Sequence, residues 1–125
     1  WAFDGRRESK RKPVEEIVFL DELGKEITHD YLVKRGLEDV FYYGSFAPSN
    51  KNLQPWRFVI KDEKLVLYAT YDNWEDFILI DMGIIMYYFQ YLIRSQGIEC
   101  KWDVDIKDEF IKDGNKYREI GTICI

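Results

Sequence analysis

The amino-acid sequence predicts an α+β fold, with a small mixed or antiparallel sheet packed on one long, central apolar helix. Three observations carry this expectation. The longest apolar run, Phe77–Ile93, is bounded by Arg94-Ser95-Gln96 and then Gly97, a natural helix C-terminal cap. Trp56–Ile60 and Lys64–Ala69 are apolar or alternating runs joined by Lys61-Asp62-Glu63, the pattern of a β-hairpin. Helical and extended segments follow one another without a regular strand–helix–strand rhythm, which favours α+β over a parallel α/β sheet.

The elements follow in order. Trp1–Pro13 is polar, basic and irregular. Val14–Phe19 is a short apolar piece that reads either as a helical turn, for which Pro13 is a suitable head, or as a strand. Asp21–Asp30 reads as a polar connection. Tyr31–Phe46 has helical spacing, with Leu32, Leu37, Val40, Phe41 and Phe46 near one side, and Ala47-Pro48-Ser49 stops it. Asn50–Pro55 is a polar loop before the hairpin. The Phe77–Ile93 run carries Asp81 and Gln90, is rich in tyrosine and is short of the ~20 apolar residues of a membrane span, so it reads as a helix buried on several sides. Glu99–Ile106 alternates as a strand, with Cys100, Trp102, Val104 and Ile106 on one face, and Ile120–Ile125 is a closing strand.

Composition narrows the function. At 125 residues, 46% hydrophobic and 17% aromatic, the chain is a single folded domain over residues 1–125 rather than a disordered one. So much apolar surface on so small a domain points to a partner chain or a flat bound ligand, although a simple core is the commoner explanation. The net charge of −5 disfavours nucleic acid, and neither a membrane span nor a signal peptide is expected. Cys100 and Cys124 have no metal-site spacing and the single histidine, His29, cannot complete a ligand set, so reduced thiols, a cytoplasmic location and no metal are expected. Ser45 and Ser49 lack a credible base, and no acid–base or nucleophile constellation appears. Asp81, the carboxylate that interrupts the apolar helix near its start, reads as structural. Arg6, Arg7, Lys10, Arg11 and Lys12 form a basic cluster, either a solvated run or a phosphate site.

One segment is specific. Ala47-Pro48-Ser49-Asn50-Lys51-Asn52-Leu53-Gln54-Pro55-Trp56 resembles the loop of the FMN-dependent nitroreductase family, where Ala-Pro-Ser, then Asn, then Gln-Pro-Trp connect a helix to a core strand. Asp81-Met82-Gly83 at the head of the apolar helix, closed by Gly97, is similar to that family's central helix. The resemblance implies cofactor-binding roles for Pro48, Ser49, Asn50, Asn52 and Gln54. Arg7-Glu8-Ser9-Lys10-Arg11 is similar to the family's flavin-phosphate motif, implying the same for Arg7, Ser9 and Arg11. Independently of the family, the loop's amides and hydroxyl offer the mixed donors and acceptors that a flavin edge needs; they could equally satisfy their own turn.

The resemblance further implies FMN as cofactor, a homodimer, and electron transfer from a reduced nicotinamide to a nitroaromatic or quinone-like acceptor. Only Tyr68–Ile78 separates hairpin from helix, where family members place more structure, so the arrangement looks most like the second half of a compact nitroreductase. The other expectation is therefore a non-catalytic domain or fragment that folds and dimerises without flavin.

Overall fold

The computed structural model describes residues 13–44, 47–49 and 54–125. The basic cluster, with Arg7, Ser9 and Arg11, and the loop residues Asn50 and Asn52 lie outside the described residues, as do Ser45 and Phe46.

Val14–Phe19 resolves into both of its readings, a one-turn helix α1 (Val14–Ile17) running straight into strand β1 (Val18–Leu20). The single helix expected over Tyr31–Phe46 is two, α2 (His29–Lys34) and α3 (Glu38–Gly44). Thr28 starts α2 by accepting the Tyr31 N–H on its Oγ1 at 3.1 Å. Gly36, at φ +69°, ends it. The Leu37 N–H reaches the Leu32 carbonyl and the Gly36 N–H reaches Val33, the paired bonds of a Schellman cap. The chain turns there, and Leu37 enters the core as the lead-in to α3.

Strands β2 (Trp56–Lys61) and β3 (Lys64–Tyr71) form the expected hairpin, with Asp62 at φ +56° in its turn. Helix α4 (Asp76–Ser95) follows, and Gly97 caps it at φ +87°. After it the expected strand over Glu99–Ile106 shrinks to β4 (Asp103–Val104), because the segment before it is tied to α4 instead of to the sheet. Arg94 Nε donates to the Cys100 carbonyl, the Trp102 N–H to Gln90 Oε1 and the Trp102 indole N–H to the Met86 carbonyl. The closing strand is longer than expected: β5 (Phe110–Lys112) and β6 (Asn115–Cys124) form a second hairpin. Its two-residue turn, Asp113-Gly114, has both residues at positive φ, as a type I′ turn requires.

The sheet runs β1-β2-β3-β6-β4, with β5 beside β4 on the same edge of β6. Among the described strands only the β1–β2 pair is parallel. One sheet face holds Trp56, Phe58, Ile60, Leu65, Leu67, Ala69, Ile120 and Ile123 in one core cluster with the inner residues of α3 and α4. At its centre Phe58 of β2 stacks on Phe89 of α4 at 4.4 Å, and Phe41 of α3 meets both rings edge-on. The other face carries a smaller cluster of Leu23, Val59 and Val66, flanked by Phe19, Tyr68 and Tyr117.

The helix α4 departs from its expected burial on several sides. Ile78, Asp81, Met82, Ile85, Phe89 and Ile93 face inward, while Leu79, Ile80, Tyr87 and Tyr91 are exposed. No second layer among the described residues covers its outer side. By length and hydropathy alone this 20-residue helix could cross a membrane.

Candidate functional site

The loop that follows α3 is anchored at both ends before any ligand is considered. On the α3 side the Ala47 N–H donates to the Gly44 carbonyl, and Ala47 is fully buried. On the β2 side Pro55 is buried and its carbonyl accepts from the Thr70 N–H at 2.9 Å. Trp56 then enters the sheet opposite Ala69, with its side chain wholly inside the core. Two aromatic anchors, Phe41 before the loop and Trp56 after it, therefore fix the span that the intervening residues must bridge.

Gln54 is the key to the loop's geometry. It sits at φ +47°, a left-handed conformation that costs a residue with a Cβ roughly 1–2 kcal/mol, and it precedes a proline, which disfavours helical geometry further. Three contacts impose it. Ser49 Oγ accepts the Gln54 N–H at 3.0 Å. The Gln54 carbonyl accepts from Arg57 Nη1 at 2.9 Å, and the same nitrogen donates to the Trp56 carbonyl at 2.6 Å. The side chain of Gln54 is completely buried. Gln54 thus shapes the loop from within through its backbone groups.

Among the described loop residues Pro48 is exposed and Ser49 half-buried. The Ser49 hydroxyl, having accepted from Gln54, keeps its own proton to donate to a carbonyl or phosphate oxygen. Sequence reasoning did not single out Arg57. Its signal was a cation set into an apolar run, directly after Pro-Trp. Burial lowers the Arg57 pKa from its usual range, with Tyr117 and Glu16 acting in the opposite direction, and the group keeps its charge at neutral pH.

Beside the loop lies a cleft of about 620 Å³ between the start of β2, the end of β3, the β5–β6 turn and the head of α4. Pro55, Arg57, Thr70, Asn73, Asn115 and Lys116 contribute to its walls, with Asp72 and Glu75 as its carboxylates. Its volume falls within the ~300–1,000 Å³ of small-molecule sites. A larger concavity, about 1,190 Å³, lies at the far end of the β2–β3 hairpin around Arg35, Asp62 and Lys64, away from the loop. The cleft beside the loop is the better candidate because guanidinium, hydroxyl and amide groups converge there. Among the described residues no cluster of His, Cys, Asp or Glu is arranged to hold a metal.

Ser49 offers a hydroxyl and Pro48 an apolar edge on the loop, while Arg57, Asn73 and Asn115 line the neighbouring cleft; these are the kinds of group that fit a flavin, a ring with carbonyl and N–H edges and a phosphorylated tail.

A loop closed by proline at each end, bridging a short helix and a core strand ahead of one long apolar helix, defines an α+β domain of nitroreductase type. The family model described as "Putative TM nitroreductase" matches residues 2–93, and the chain belongs to that family. The matched span takes in the whole loop and nearly all of α4, and the family points to an oxidoreductase. No curated protein and no solved structure matches the chain.

Proposed function

We propose that the protein is an FMN-dependent oxidoreductase that works as a homodimer in the cytoplasm, passing electrons from a reduced nicotinamide to a nitroaromatic or quinone-like acceptor. The observation that carries this reading is the pre-set loop: Ser49 and Arg57 hold Gln54 in a left-handed conformation that costs energy, with Pro48 exposed and Ser49 half-buried beside it. Strain retained at a family motif is characteristic of a binding site arranged before its ligand arrives. Bound FMN would supply the hydride and electron chemistry. The chain's part is positional: Pro48, Ser49, Asn50 and Asn52 fringe the ring, Gln54 and Arg57 keep the loop in shape, and Arg7, Ser9 and Arg11 offer cations and a hydroxyl to the phosphate.

The second reading, a domain that folds and pairs without flavin, draws on the same geometry, because Ser49 Oγ and both Gln54 backbone groups already have partners within the chain. A visible absorption spectrum after incubation with FMN and removal of the excess separates the two. The expected result is a retained flavin band that a Ser49→Ala, Asn52→Ala double variant loses or weakens by roughly tenfold in affinity. A folded, colourless wild-type protein would overturn the flavin reading in favour of the second.

A further inference from the structure

We infer that Cys100 and Cys124 are one reversible redox site, a thiol pair that a peroxide converts into a disulfide within the chain. The site is independent of the flavin reading, since it lies at the opposite end of α4 from the cleft beside the loop. Strand β6 runs antiparallel to β4, with Thr122 opposite Asp103 and Gly121 opposite Val104. Followed outward from Asp103 and Thr122, the two segments pass each other and bring Cys100 and Cys124 to within one residue of register. Residues one step out of register on antiparallel strands lie roughly 6 Å apart at Cα, inside the ~4.4–6.8 Å that a disulfide spans. A regular ladder would turn their side chains to opposite faces. Here the ladder has ended: Arg94 Nε holds the Cys100 carbonyl at 2.8 Å, and Gln90 and Met86 hold Trp102, which releases Cys100 from the alternation. Both cysteines line the same concavity of about 810 Å³, together with Arg94, Glu99 and Lys101.

Their surroundings give the two thiols different parts. Cys124 ends β6 opposite Lys64, and the next residue, Ile125, donates its N–H to the Glu63 carbonyl, so the backbone is fixed while the Cys124 side chain is exposed. Cys100 is half-buried, and burial pushes its thiol up, with Arg94 opposing and Cys124 reinforcing, as a near neighbour does. An oxidant from solution therefore reaches Cys124 first, and Cys100 resolves it. The Cys124 thiolate attacks one oxygen of hydrogen peroxide, the O–O bond breaks, hydroxide leaves and a sulfenic acid remains. The Cys100 thiolate then attacks that sulfur, and a second hydroxide leaves as the S–S bond forms. Two thiols and one peroxide become one disulfide and two waters, and a dithiol reductant returns the pair to thiols. The cations of Arg94 and Lys101 in the same concavity favour the thiolates as they form. In a reducing compartment such a disulfide is transient and redox-sensing.

Intact mass and a count of free thiols, taken on the full-length chain before and after hydrogen peroxide, test this. The expected result is loss of both thiols together and a mass lower by about 2 Da, the two hydrogens given up in disulfide formation. The product should run as a single chain on a non-reducing gel and revert with dithiothreitol. Cys100→Ser should stop at a sulfenic acid on Cys124, trapped by dimedone, whereas Cys124→Ser should lose its remaining thiol roughly tenfold more slowly. Disulfide-linked dimers, oxygen added to the sulfurs without the 2 Da loss, or two thiols still free after peroxide would each overturn the pair. Equal rates for the two single variants would overturn the order of attack.

Discussion

Ser49, Gln54 and Arg57 form a small mechanical unit whose parts can be separated by mutation. Ser49→Ala removes the acceptor of the Gln54 N–H and is expected to cost about 1 kcal/mol in urea unfolding, with Ser49→Thr retaining most of it. Arg57→Ala takes one charged donor from two carbonyls at once and should cost more, about 1–3 kcal/mol. Because both side chains act on the same residue, the double variant should fall short of the sum, with a coupling of about 0.5 kcal/mol or more. Strict additivity would show that Gln54 is not held jointly. The sequence made half of this unit legible. Proline, serine and glutamine at the family's spacing identified the loop, but nothing in a linear pattern tells whether an amide points to a ligand or into the core. The backbone role of Gln54 in the loop was not legible for that reason. Arg57 went unread because strand alternation does not distinguish a solvated cation from one bent back on its own chain.

Between elements, the packing of α3 on α4 depends on an absent side chain. A Cβ at Gly44 would meet the Phe89 ring at 2.4 Å, and that ring is wedged between Phe41 and Phe58. Gly44→Ala ought to stabilise a helix by propensity; here it is expected to destabilise by about 1–3 kcal/mol through overpacking. A thermal midpoint that rises in this variant would mean that the three-ring cluster yields easily. The same scale shows what could be read in advance. The β2–β3 hairpin and α4 were legible from alternation and from the Gly97 cap, which are local signals. Gly36 and Asp113-Gly114 are equally local, a helix cap and a type I′ turn, and both lay in the sequence; the apolar spacing across Gly36 concealed the break, because Leu37 continues the stripe of α2 into α3. The shortening of the strand after α4 was not legible. Its alternation is sound, but Arg94, Gln90 and Met86 capture the backbone and the indole of Cys100 and Trp102, and those partners are set by tertiary placement.

For the molecule as a whole, the titratable groups give its stability a sign on the alkaline side. Burial raises the pKa of the Cys100 thiol, and Cys124 adds to the shift while Arg94 opposes it. Burial likewise raises Tyr68, reinforced by the Glu119 carboxylate, and Tyr71, where Glu109 reinforces and Arg118 opposes. Lys107 is raised by its bond to Glu119. In each case the folded state holds its proton more tightly than the unfolded chain does. The stability these groups contribute is therefore complete below their unfolded pKa values, about 8.5 for the thiol, 10 for the tyrosines and 10.4 for the lysine, and is lost as pH rises through the folded values. Arg57, whose pKa is lowered by burial, has the opposite sign. Denaturation midpoints measured from pH 7 to 11 should begin to fall near pH 8.5 and fall more steeply above pH 10. Growing negative charge on a chain already at −5 adds a general repulsion in the same direction. Two variants separate the local effect from the general one: Cys100→Ser should delay the onset, and Tyr68→Phe should flatten the later slope while leaving the remaining charges in place. Midpoints that hold steady through pH 11 would mean that Tyr68 and Tyr71 ionise as freely in the fold as in the unfolded chain, and that the aromatic face of the sheet is open to water.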